Sequence, residues 1–150
     1  MEKYLMQMVM GCIGAIGFAV LFNVKVDKLL YIAVASALSW MGYAVCMLCG
    51  SGVFWAFFCG TAVAALISEI LARLVRVPVL MLLVPILIPL IPGGDLYHMM
   101  SNLVRGNDPE VLRYGRLLLM EASAIALGII CVASVMNILM GLDETTGLCL

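Results

Sequence analysis

The chain has 150 residues, 65% hydrophobic and 11% charged, with a formal net charge of -1 and a mean hydropathy of +1.19. Soluble globular domains are about half apolar and a quarter charged, so the solvent for this chain is a bilayer. The near-zero charge excludes an electrostatic case for nucleic acid or an anionic surface.

Long uncharged runs occupy about 4–22, 29–49, 53–72 and 117–142. Each can cross roughly 30 Å of hydrocarbon at about 1.5 Å per residue. A shorter fourth run in chain order, about 78–92, is interrupted by proline. The expected fold is all-α: one integral-membrane domain over 1–150, a polytopic transmembrane helical bundle of four to five segments whose fourth is broken by Pro and Gly. Met1-Glu2-Lys3 carries no net positive charge, and the apolar stretch after it is longer than that of a signal peptide, so the first run reads as a span. It ends at Asn23, before a turn holding Lys25, Asp27 and Lys28. Gly50-Ser51-Gly52 closes the second run and sends the third back antiparallel. Gly11, Ala15 and Ala19 recur every four residues, as do Gly60, Ala64 and Ser68, and Ala124 with Gly128. Small residues at that spacing let helices approach closely, and so many such faces point to a protein partner.

The fourth segment and its sequel read VPVLMLLVPILIPLIPGGDLYHMMSNLVRGN from Val77 to Asn107. Pro78, Pro85, Pro89 and Pro92 remove backbone donors, which hydrocarbon tolerates only where protein or water satisfies the freed groups. Discontinuous helices of this kind build transporter binding sites, because their termini present partial charge at membrane depth. In the amphipathic stretch 95–105, Leu96, Met99, Met100, Leu103 and Val104 share one face. Tyr97, His98, Ser101, Asn102 and Arg105 share the other. Asp95 reads as the N-cap, with Gly93 and Gly94 making the turn. Two readings follow. One is a capped helix lying at the membrane interface. The other is a polar pocket for a small zwitterion or anion, with Asp95 meeting an amine or a coupling proton and backbone amides meeting a carboxylate.

Glu69, one turn before Arg73, fits an i,i+4 ion pair. Glu121 lies inside the last run, where acids often mark ion paths, although snorkelling toward the polar flank competes for both. The candidate substrate or ion-path residues are therefore Pro85, Pro89, Pro92, Gly93, Gly94, Asp95, His98, Asn102, Glu69 and Glu121. Gly106-Asn107-Asp108-Pro109 reads as a turn before a helix starting near Pro109-Glu110. Five of the six cysteines (Cys12, Cys46, Cys49, Cys59 and Cys131, but not Cys149) lie in apolar runs and read as packing. Cys46-Met-Leu-Cys49 has redox or zinc spacing, but no second pair or histidine cluster accompanies it. No metal or cofactor is expected. No nucleophile triad, zinc-protease, Walker or dinucleotide motif is present, so no enzyme is expected.

The basic residues leave topology open. If the fourth run crosses, Lys3, Arg105, Arg113 and Arg116 face one side and Lys25, Lys28, Arg73 and Arg76 the other. If it enters and returns, all but Lys3 collect on one side, as the positive-inside rule favours.

Val77-Pro78, the core Ile88-Pro-Leu-Ile-Pro-Gly-Gly94, Tyr97 and Gly106-Asn107 resemble the threonine/serine exporter family. The likeness is strongest to its small-subunit type, which corresponds to the C-terminal half of the fused exporters. The resemblance implies export of threonine and serine, or of a small dicarboxylate such as succinate, from the bacterial cytoplasmic (inner) membrane, driven by the proton motive force. It also implies a larger companion subunit with a soluble N-terminal part and spans of its own. The Pro-Gly motif carries over onto Pro85, Pro89, Pro92, Gly93 and Gly94; no ligand residue does. The alternative is a non-transporting membrane assembly or scaffold protein.

Overall fold

The computed structural model describes residues 2–146, and the surroundings of side chains from 6 to 139. Cys149 lies outside the described residues. Six α-helices and no strand are found among them: α1 Glu2–Leu21, α2 Leu29–Leu48, α3 Val53–Val75, α4 Val79–Leu87, α5 Gly93–Val104 and α6 Asp108–Thr146. Short 3₁₀ turns, Val26–Lys28 and Ile88–Leu90, precede α2 and follow α4. Among the described residues, 3 helices are long and apolar enough to cross a membrane, or 4 if the bent pair formed by Val79–Leu90 and Gly93–Val104 counts as one span. The all-α membrane bundle expected from the sequence is what forms.

Four helices stop by one device. Asn23, Gly50, Arg76 and Gly106 adopt left-handed conformations, with φ of 57°, 76°, 53° and 71°. The next amide in each case reaches back five residues: Val24 to the Ala19 carbonyl, Ser51 to Cys46, Val77 to Ala72 and Asn107 to Asn102. These are Schellman closures, which satisfy the last carbonyls of a helix. Glycine and asparagine tolerate that backbone; Arg76 occupies it against its preference. Lys28 Nζ donates to the Val75 carbonyl at 3.3 Å. Its charge thus sits at the negative end of α3.

The small-residue stripes are consumed within the chain. A Cβ on Gly11 would stand 2.8 Å from Pro89 Cβ, and Ala15 and Ala19 below it are fully buried. Gly60 faces Leu90, Tyr43 and the Ser39 carbonyl, and a Cβ on Gly128 would stand 3.0 Å from Thr61 Cβ. These faces therefore give no argument for a partner. They seat α4 and its 3₁₀ extension among α1, α2 and α3, with Leu82, Ile86 and Leu90 at the centre.

The fourth segment bends without reversing. Pro89 offers no amide to the Pro85 carbonyl, which accepts from Ile88 instead and tightens the chain into the 3₁₀ turn. The chain extends at Ile91, and α5 departs at 60° from α4. The turn is thus made at Ile91-Pro92. Gly93 and Gly94 already belong to α5 and have no positive φ, contrary to the turn expected of them. α6 then returns along α5 and runs in the same sense as α3. Thr61 meets Gly128, and farther along Leu66 shares a groove with Val135, Met136 and Leu139.

Candidate functional site

α5 packs lengthwise on α6. Asp95 faces Glu121, His98 stacks on Tyr114 with ring centroids 5.2 Å apart, and Met99 lies over Gly115. Those partners all belong to α6. Leu96, Met100, Leu103 and Val104, four of the five residues of the apolar face, are exposed. Tyr97, His98 and Arg105 of the polar face are exposed as well, so α5 meets α6 along a narrow line that includes Asp95 and Met99 and leaves both faces partly open.

Asp95 is also not the cap. Pro92 stands at the N-cap without any side-chain bond, and Asp95 is the third residue of the helix. Its carboxyl is therefore free to turn to α6. There it lies within hydrogen-bonding reach of Glu121, which is only 4% exposed. Two carboxyls in contact repel when both are charged; one proton between them converts the repulsion into a hydrogen bond.

The helix terminus beside this pair is open. Gly93 N–H bonds the Ile91 carbonyl at 2.7 Å, but the Gly94 and Asp95 amides have no hydrogen-bond partner among the described residues. A Cβ at Gly93 or Gly94 would meet nothing within 4 Å. Free amides, a positive dipole end and unobstructed space together can receive an anionic group.

Two buried side-chain atoms among the described residues lack any hydrogen-bond partner: Glu121 Oε2 and Thr61 Oγ1. Each unpaired group costs about 1–3 kcal/mol, more when charged, so natural folds retain few of them without a use. Both lie on the seam where α6 meets α3 and α5. Glu121, Ala124 and Gly128 are buried on one face of α6, and Gly128 abuts Thr61.

A family model described as threonine/serine exporter, ThrE, matches residues 7–135. The chain belongs to the threonine/serine exporter family. No solved structure matches it. Membership in this exporter family makes it a membrane transport protein rather than a member of an enzyme family.

The structure separates the candidate residues read from the sequence. Asp95, Gly93, Gly94 and Glu121 come together at the α5 terminus. Pro85 is buried inside α4, Pro89 is a spacer against Gly11, and Pro92 makes the break. His98 and Asn102 follow Asp95 down α5; Asn102 Nδ2 donates to the His98 carbonyl at 2.9 Å, and His98 is exposed. Glu69 stands apart at the end of α3, paired with Arg73 at 3.2 Å. The buried, unpartnered hydroxyl of Thr61 was not legible, because a threonine in an apolar run reads as packing. Its place next to Gly60 in a small-residue stripe was the available signal.

Proposed function

We propose that this chain is one subunit of a secondary exporter that moves threonine, serine or a related small carboxylate such as succinate out of a bacterial cell across the inner membrane. In this reading the bent pair α4–α5 is a single broken crossing. The 60° bend and the shared sense of α3 and α6 support that choice over re-entry. The basic residues then divide evenly between the two faces, and charge does not set the orientation.

The observation that carries the proposal is Glu121: buried, facing Asp95, with an unpartnered oxygen beside the open N-terminus of a broken helix. The carboxyl pair is the proton-carrying element. With one proton bound, the pair keeps a single negative charge and attracts an ammonium; with the second, it loses that attraction. Proton entry and substrate release are then linked, as coupling to the proton motive force requires. The Gly94 and Asp95 amides take the carboxylate of the substrate. A scaffold has no use for a buried pair of acids at membrane depth, where such groups are costly.

The larger companion subunit completes the transporter. Along α6, Leu119, Leu127, Ile130, Val135 and Ile138 are exposed, which leaves a long face for lipid or for the companion. Efflux of preloaded radiolabelled threonine, serine and succinate from cells with neither, either and both subunits tests the proposal. Efflux only with both supports it. Equal efflux in all four strains contradicts it.

A further inference from the structure

Near the start of α6, Arg116 is a cation in apolar surroundings, without an ion-pair partner among the described residues. Its neighbour Arg113 is committed, donating from Nη1 to Glu110 at 3.4 Å. Two grooves border Arg116. In one, Val111, Gly115, Leu118 and Ala122 recur at i, i+4, i+7 and i+11, a line along α6, with Met99 of α5 as the facing wall. Gly115 and Ala122 keep its floor low. The other groove, on the far flank of Arg116, is walled by Pro109, Leu117 and Met120. Glu121 is five positions on, about 140° around the helix, so Arg116 points away from the carboxyl pair.

The register of α6 against α3 sets the depth of Arg116. The two helices run in the same sense, with Thr61 level with Gly128. Val53, where α3 begins, is eight residues before Thr61, and Met120 is eight before Gly128. Those two share a level, and Arg116 lies one turn beyond it, about 6 Å. With 23 residues α3 is about 34 Å long and fills the hydrocarbon core. Headgroup layers add about 5–7 Å on each side. Arg116 thus falls where lipid phosphates lie, and the α5–α6 groove leads from it toward the core. We propose that Arg116 and this groove bind an anionic glycerophospholipid of the phosphatidylglycerol type. The guanidinium takes the phosphate, which its planar donors suit, and one acyl chain follows the groove past Leu118 to Ala122. Apolar walls favour this amphiphile over a free phosphate ion. One uncompensated cation selects a headgroup with one net negative charge; the ammonium of phosphatidylethanolamine neutralises its own phosphate. An arginine that only anchors a helix at the interface treats both headgroups alike.

The test is native mass spectrometry of the full chain in mild detergent, for wild type, Arg116→Gln, Arg113→Gln and Ala122→Phe. Each is titrated with dioleoylphosphatidylglycerol, dioleoylphosphatidylethanolamine or glycerol 3-phosphate. Wild type should bind phosphatidylglycerol about tenfold more tightly than phosphatidylethanolamine, and glycerol 3-phosphate not measurably. Arg116→Gln should lose that preference, while Arg113→Gln should keep it. Ala122→Phe, which fills the groove and leaves the charge, should weaken both lipids. Equal binding of the two lipids by wild type would overturn the site and leave a helix anchor. Equal loss in the two arginine variants would overturn it in favour of diffuse charge. Tight binding of glycerol 3-phosphate would reveal an ion site and overturn the lipid assignment. Exclusion of the lipid by a co-expressed companion subunit would overturn it in favour of protein on this face.

Discussion

At the scale of single residues, the decisive displacement is that of Asp95. Asp-after-Gly-Gly before a helical period is a strong cap signature, yet proline takes the cap and the carboxylate turns to Glu121. The sequence shows which residues are acids, but contact between two acids 26 positions apart is a matter of helix register that one sequence does not display. Glu69 illustrates the opposite case: its partner is four residues away, so the pair was legible locally and needs no functional account. Arg76 was not legible as a helix end, because nothing marks an arginine for a left-handed backbone. Its φ of 53° makes a prediction. Arg76→Gly should stabilise the protein by about 0.5–1 kcal/mol through relief of that conformation, seen as a rise in melting temperature in detergent. A fall would show that the Arg76 side chain contributes more than its backbone costs.

At the scale of elements, the helices follow the apolar runs closely, because hydrocarbon forces every spanning backbone to satisfy itself. The break was legible for the same reason: prolines four residues apart deny successive carbonyls their donors. Which face of α5 turns inward was not. The 3.6-residue period marks two faces, and the contact with α6 draws on both, His98 from one and Met99 from the other. Gly94 and Gly11 should now behave differently on substitution. Gly94→Leu fills open space, so it should leave the melting temperature near wild type and abolish export. Gly11→Leu drives a side chain into Pro89 and should cost about 1–3 kcal/mol as overpacking. Equal destabilisation by both would remove the distinction between an open terminus and a packed crossing.

The α2–α3 hairpin gives an independent check. Gly42 abuts Val63, and one turn along each antiparallel helix the Cys46 side chain comes beside that of Cys59. The neighbour of Cys46 across the interface is thus not the Cys49 that its CxxC spacing suggested. Copper–phenanthroline oxidation should form a Cys46–Cys59 disulfide within one chain, detectable by mass spectrometry and absent from Cys46→Ser. A Cys46–Cys49 product alone would contradict the register of this hairpin.

At the scale of the whole molecule, the stripes that suggested a partner are filled by the chain itself, while α6 remains the least covered long helix, with an 11% buried span. In the proposed complex this is the face that the companion subunit would cover. Co-expressed in mild detergent, the two should purify as a hetero-complex; a monodisperse monomer of this chain that exports substrate after reconstitution would refute the half-transporter reading. The fold class and the break were written in the sequence because both follow from local backbone chemistry. The site was only partly so, since the Asp95–Glu121 contact arises from the way α5 and α6 meet.

Glu121 is where these scales converge, and its neutral isostere tests the coupling most directly. Efflux of preloaded threonine, serine or succinate should be measured in cells carrying both subunits, wild type or Glu121→Gln, with and without a protonophore. Wild-type efflux should fall by about tenfold or more when the gradient is dissipated, and Glu121→Gln, expressed at the same level, should match that reduced rate and ignore the protonophore. Wild-type efflux from Glu121→Gln with protonophore sensitivity intact would contradict a proton-carrying carboxyl pair.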